Sequence, residues 1–116
     1  MGRRDARSHL LDIVTACENA LAHVGDMSEA GYVADRKTRS AVERELEVGA
    51  EALGCLLRDQ SSLLDEWQTD ARAVAGFRNR LVHEYQHIDD REVYRIVRED
   101  VPVLLVEAAE TLRRLS

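Results

Sequence analysis

Apolar residues return every three or four positions through most of this 116-residue chain, and a single proline, Pro102, is available to interrupt them. That spacing matches the 3.6-residue turn of an α-helix and not the two-residue alternation of a half-buried strand. Leu10, Ile13, Val14, Cys17, Leu21 and Val24 make one stripe, which predicts a helix from about Arg4 to Val24 closed by Gly25. Val42, Leu46, Gly49, Leu53, Leu56 and Leu57 mark a second, from about Arg36 to Arg58. Between them, Met27 to Ala34 reads as a connector with room for one short turn started by Ser28. The segment from Asp59 to Thr69 is loop-like, with Leu63, Leu64 and Trp67 expected to pack back on the core. A third helix opens at Thr69 or Asp70, both competent N-caps, carries Val74, Phe77, Leu81 and Val82 inward, and ends around Tyr85 to His87. Asp90 is expected to cap a short fourth helix, Arg91 to Arg98, and Asp100 a fifth that tolerates Pro102 in its first turn. The fold class that follows is all-α, an antiparallel bundle of four to five helices forming one domain over residues 1–116.

Charge and composition narrow the function. The net charge of −6 argues against a protein that coats nucleic acid generically, which would be basic. The charge is uneven, however. Between Ala71 and Arg98, six arginines (72, 78, 80, 91, 95 and 98) face four acids, a net of +2, so the remainder carries −8. A locally basic site on an acidic body suits a small phosphate-binding cleft better than an extended nucleic-acid track, and a solvated helix face would show the same run. No DNA partner is expected. No apolar stretch approaches the roughly 20 residues that span a membrane, and the first residues lead into no secretory apolar region. Cys17 and Cys55 form no metal-ligand cluster and read as helix-packing residues. A cytoplasmic protein is expected.

The chemistry concentrates in Arg78-Asn79-Arg80-Leu81-Val82-His83-Glu84-Tyr85. Arginine cannot be deprotonated in a protein and suits phosphate oxygens, while histidine exchanges protons near neutral pH. Arg78 and His83 would be the phosphate-binding and acid–base groups of an RNA-cleaving site, with Asn79 orienting either the phosphate or the imidazole. Tyr85 could stack on or hydrogen-bond the substrate. Arg80 and Arg72 are further candidates for RNA contacts, although on an exposed helix face a solvated charge is the commoner explanation of each. On one straight helix Arg78 and Tyr85 share a stripe, and Asn79 and His83 share another. Arg78 and His83, five apart, diverge by roughly 140°. Two copies facing across a two-fold axis, or a local kink, could bring them together, so the spacing suggests a homodimer.

The same stretch contains a rival pattern. His83-Glu84-Tyr85-Gln86-His87 spells His-Glu-x-x-His, in which two imidazoles on one helix bind Zn²⁺ and the glutamate acts as base. A helix ending near His87, no clear third ligand beyond generic acids such as Glu107, and the unused Arg78, Asn79 and Tyr85 count against a zinc site. No metal and no other cofactor is expected.

The run GFRNRLVHEYQHIDDREVYRIVREDVP resembles the signature of the HepT-like ribonucleases within the HEPN superfamily: Arg-Asn, three residues, His-x-Tyr, an acidic turn and a Val/Ile-rich helix. It matches at Arg78, Asn79, His83 and Tyr85. Upstream, VGDMSEAGYVADRKTRSAVERELEVGAEAL is similar to the family's second-helix region, including Asp35, Glu47 and Glu51. The likeness covers roughly residues 8 to 115, with two departures: Ala50 stands where the family usually has Gly, and Gly49 where it favours a bulky apolar residue. The resemblance implies a dimeric, metal-independent endoribonuclease toxin of a type VII-like toxin–antitoxin system, with two motifs meeting in a cleft. It further implies an MntA-like nucleotidyltransferase antitoxin that silences the toxin by adding AMP to the motif tyrosine, here Tyr85, and forms a larger complex with it. HEPN bundles also include non-catalytic nucleotide-binding or interaction modules that present a partner nucleotidyltransferase, which is the alternative from a different functional class.

Overall fold

The computed structural model describes residues 5–116, and of Tyr85 the backbone only. Its elements are α1 (Ala6–Val24), α2 (Glu29–Ala34), α3 (Arg36–Asp59), a 3₁₀ turn (Ser61–Leu64), α4 (Ala71–His83), a second 3₁₀ turn (Tyr85–His87), α5 (Asp90–Glu99) and α6 (Val101–Leu115). No strand occurs among the described residues. No helix is long and apolar enough to cross a membrane. The expected start of the first helix at Arg4 lies outside the described residues; within them, Asp5 caps α1 by accepting from the Arg7 and Ser8 N–H groups.

Side-chain caps explain most of the boundaries. Each helix leaves its first N–H groups without partners, and a short oxygen-bearing side chain satisfies them. Ser28 does so for α2, Asp35 for α3 and Asp70 for α4. Gly25 ends α1 at φ +54°, a conformation that β-carbon sterics deny most residues. Two expected caps are corrected. Asp89, not Asp90, caps α5, and Asp90 is already in its first turn. The Asp100 side chain accepts no capping hydrogen bond from α6; its backbone is itself helical, so α5 runs into α6 through one residue, with Pro102 in the first turn where no N–H is needed. The connector before α3 also holds a full short helix in place of a single turn, which brings the helix count to six.

The core is built on α1 and α3. They run antiparallel: Asn19 Nδ2 donates to Glu45 at one end, and nearer the middle Ala16 meets Gly49. A β-carbon at Gly49 would lie 3.3 Å from that of Ala16, so this glycine lets the two backbones close up. Leu10, Ile13, Val24, Val42, Leu53, Leu56, Val93 and Val97 are fully or almost fully buried between the helices, each contributing about 1.5–3 kcal/mol relative to exposure. Burial also pushes the Cys17 thiol up to about 12, as befits a packing residue. Antiparallel α6 covers α1, with Arg7 near the Leu115 carbonyl.

The helix that carries the octapeptide, α4, packs on α3 and stands off from α5 and α6. A groove of about 240 Å³ remains there, floored by Ala16, Leu46 and Gly49 and walled by Val74, Phe77 and Ile96. Two sets of polar contacts bridge it. At the α4 entrance, Glu107 of α6 accepts from the Gln68 N–H, the Thr69 N–H (3.3 Å) and the Thr69 hydroxyl (2.5 Å). Beside it Trp67 Nε1 donates to Thr111 Oγ1 at 2.9 Å, so the tryptophan anchors the loop as expected. Further along, Arg80 reaches Glu92 of α5 at 3.1 Å.

Candidate active site

The octapeptide occupies the last turns of α4 and spreads its side chains to different sides of it. Arg78 points toward α3, where its Nε lies 3.5 Å from Glu51 Oε1. Its side chain is 30% exposed, and Nε itself is buried without hydrogen-bond geometry to any described group. The contact is therefore an ion pair with no directional bond. Arg78 and Glu51 line a hollow of about 320 Å³ with His9, Asp12, Glu47 and Cys55. Glu47 is also engaged by Arg44 at 3.3 Å. Sequence spacing had put Glu47 and Glu51 one turn apart on α3; the antiparallel packing of α3 on α4 puts them beside Arg78.

Arg80 faces the opposite way. Its guanidinium sits 5.4 Å from the Phe77 ring centroid and bonds Glu92. It is thus a link between α4 and α5, with its side chain 45% exposed. Arg72 is exposed. The other arginines of the basic stretch are similarly occupied: Arg91 with Glu29 (3.7 Å), Arg95 with Glu99 (3.5 Å) and Arg98 with the Met27 carbonyl (3.0 Å).

Asn79 and His83 are both exposed on α4, four residues apart, and neither has a hydrogen-bond or ion-pair partner among the described residues. His83 is the last residue of the helix. The Glu84 N–H still closes back on the Arg80 carbonyl at 2.8 Å, but Glu84 adopts non-helical angles and the next three residues form a separate 3₁₀ turn. Two expectations change with this break. α4 ends earlier than Tyr85 to His87, so Tyr85 does not continue the Arg78 stripe; its side chain lies outside what the structure describes. His83 and His87 likewise fall on two elements and not on one continuous helix, which removes the geometry that gives His-Glu-x-x-His its meaning. Glu107, the generic acid considered as a third ligand, is committed to Gln68 and Thr69.

The structure thus joins Arg78 to acidic residues of α3, leaves Asn79 and His83 open to solvent at the helix end, and does not bring Arg78 and His83 together within one chain through any bond. One pairing was missed altogether: Arg39 of α3 bonds Asp90 of α5 at 3.2 Å. Nothing in a local spacing rule could have signalled a contact between residues so far apart in the chain.

Comparison with known proteins adds the identity. The family model described as "Ribonuclease HepT-like" matches residues 13–111. The protein named "Putative RNase MJ0127" of Methanocaldococcus jannaschii is 30% identical over 117 residues, covering all of this chain and 94% of that protein. "Probable ribonuclease HepT" of Thermococcus cleftensis is 32% identical over 104 residues, 88% of this chain and 91% of that one. No solved structure matches. Since the family match spans most of the chain, and these relatives align over nearly their full lengths, the chain belongs to the HepT-like ribonuclease family.

Proposed function

We propose that this HepT-like ribonuclease is a metal-independent endoribonuclease toxin, active as a homodimer and silenced by an MntA-like nucleotidyltransferase antitoxin. The observation that carries the reading is the disposition of α4: an arginine held beside acids of α3, and an unengaged asparagine and histidine exposed at the helix end. The catalytic pair diverges within one chain. A second copy across a two-fold axis, supplying the complementary group, makes one complete site.

The reaction is an internal displacement. His83 takes the proton of the ribose 2′-OH, the 2′ oxygen attacks the adjacent phosphorus, and the 5′ oxygen leaves with a proton from an imidazolium. The products are a 2′,3′-cyclic phosphate and a free 5′-OH. Proton transfer by such a group typically contributes about 10²–10⁴ in rate. Arg78 neutralises the charge that builds on the equatorial oxygens, an effect of roughly 10²–10³ by analogy with a single oxyanion donor. Asn79, on the His83 stripe, orients the phosphate or the imidazole. Silencing transfers AMP from ATP to the Tyr85 phenolic oxygen with release of pyrophosphate. The added phosphate anion then competes for Arg78 and obstructs RNA entry.

The test is cleavage of RNA in EDTA by wild type and His83→Ala, with end-group analysis. Wild type is expected to leave cyclic phosphate ends and His83→Ala to lose at least about a hundredfold in rate. Equal activity of the two proteins would refute the role of His83, and loss of wild-type activity in EDTA would refute metal independence. An inert wild type would leave the interaction-module reading.

A further inference from the structure

Residues 84–89 link α4 to α5 and carry Tyr85 and His87. Among the described residues, the hydrogen bonds along this connector are local. At the α4 end the Glu84 N–H donates to the Arg80 carbonyl, and the His87 N–H to the Glu84 carbonyl, both at 2.8 Å. At the α5 end Asp89 Oδ1 accepts from the Arg91 and Glu92 N–H groups at 3.0 and 3.4 Å. Ile88 packs against the core, which fixes depth, but apolar contact is non-directional and sets no register.

The first turn of α5 is held by the exposed pairs Arg80–Glu92 and Arg91–Glu29 and, more deeply, by a directional tie from α3 at Asp90. Asp90 Oδ2 accepts from Arg39 Nη1 at 3.2 Å, and both side chains are about three-quarters buried, at 27% and 28% exposure. Arg39 Nε is buried and makes no hydrogen bond among the described residues, so the contact with Asp90 is what orients the guanidinium. Its surroundings are confined. Glu43 lies one turn further along α3, and burial, then the nearby Asp90, hold its carboxyl above the usual range while Arg39 draws it back. The fully buried Tyr32 of α2 feels the same three charges. Arg39 is thus the cation between two carboxylates on different helices. Without it, Asp90 and Glu43 repel each other across the α3–α5 contact.

The geometry points to Arg39 as a positioning residue: through Asp90 it fixes the first turn of α5, and so sets where the 84–89 connector holds Tyr85 and His87 relative to Arg78. The inference rests on the ribonuclease reading for its kinetic consequence only. The experiment compares wild type, Arg39→Ala, Asp90→Asn and the charge swap Arg39→Asp with Asp90→Arg. It measures amide hydrogen exchange at His87, Arg91 and Glu92 beside kcat and KM for RNA cleavage. In Arg39→Ala, exchange at those amides rises roughly fivefold, the size of an ion pair at the upper end of the partly exposed range, while α1 and α6 amides keep their rates. The rate constant kcat falls several-fold with KM unchanged, and the swap restores both. Asp90→Asn keeps the side-chain shape, so it carries the test if Arg39→Ala fails to fold. Unaltered exchange at 87–92 in the folded variants, or no recovery in the swap, overturns the proposal. Should wild type cleave no RNA while exchange and rescue behave as expected, the ribonuclease reading fails and the positioning role stands.

Discussion

Replacing Glu107 by alanine removes the main polar bridge between α6 and the entrance of α4. The carboxylate accepts from the Gln68 N–H, the Thr69 N–H and the Thr69 hydroxyl, and among the described residues no other side chain is bonded to these groups. It also sits at the positive end of the α4 dipole, where an anion is favoured. A hydrogen bond to a charged group contributes about 1.5–3 kcal/mol, and the exposed setting of Gln68 discounts the sum of three. Because Trp67 still holds Thr111 at 2.9 Å, the loop is loosened and not released. The expected loss is about 2 kcal/mol, or roughly 8 °C in Tm for a chain of this length, by urea and thermal denaturation. Glu107→Gln, which keeps one acceptor oxygen, should lose about half as much. Glu110→Ala, one turn along the same helix, removes only surface pairs with Arg113 and Arg114 and should change the midpoint far less. A Glu107→Ala loss below about 0.5 kcal/mol would show that water replaces the carboxylate at no cost, and the bridging argument would be wrong. A cycle with Thr69→Val should recover a coupling of about 1 kcal/mol, because both changes remove the bond from the Thr69 hydroxyl to Glu107.

Gly49→Val places branched carbons against Ala16, where even a bare β-carbon has only 3.3 Å. It should destabilise by about 1–3 kcal/mol in urea melts, and Ala16→Gly in the same chain should return part of that. Full stability of Gly49→Val would mean that α1 and α3 can part freely. Glu43→Gln tests the half-buried charge beside Asp90. A folded carboxyl held above its unfolded value binds its proton more tightly in the native state, so its contribution to stability falls as pH rises through that window. The substitution should therefore be nearly neutral near pH 4 and stabilising at pH 7. A gain that is larger at pH 4 would reverse the assigned sign.

Much of this molecule was legible in its sequence. The 3.6-residue apolar stripes gave the long helices, because any exposed apolar face on α1 or α3 would cost the core its driving force. Ser28 and Asp70 announced helix starts through short-range capping chemistry that needs no tertiary context. The octapeptide identified the candidate chemistry, and helical angle alone separated Arg78 from His83. Tertiary structure decided what local rules could not reach. It stopped α4 at His83, two to four residues before the expected end, and so broke the His-Glu-x-x-His pattern across two elements. It made Asp89 the cap in place of Asp90, freeing Asp90 to meet Arg39, and it set Glu51 against Arg78 while tying Arg80 to Glu92. Periodicity and capping act within a turn or two of the chain, so sequence determined the elements and the residues that carry chemistry. The partner of each charge depends on which helices pack side by side, a property of distant residues meeting, and only the folded bundle could settle it.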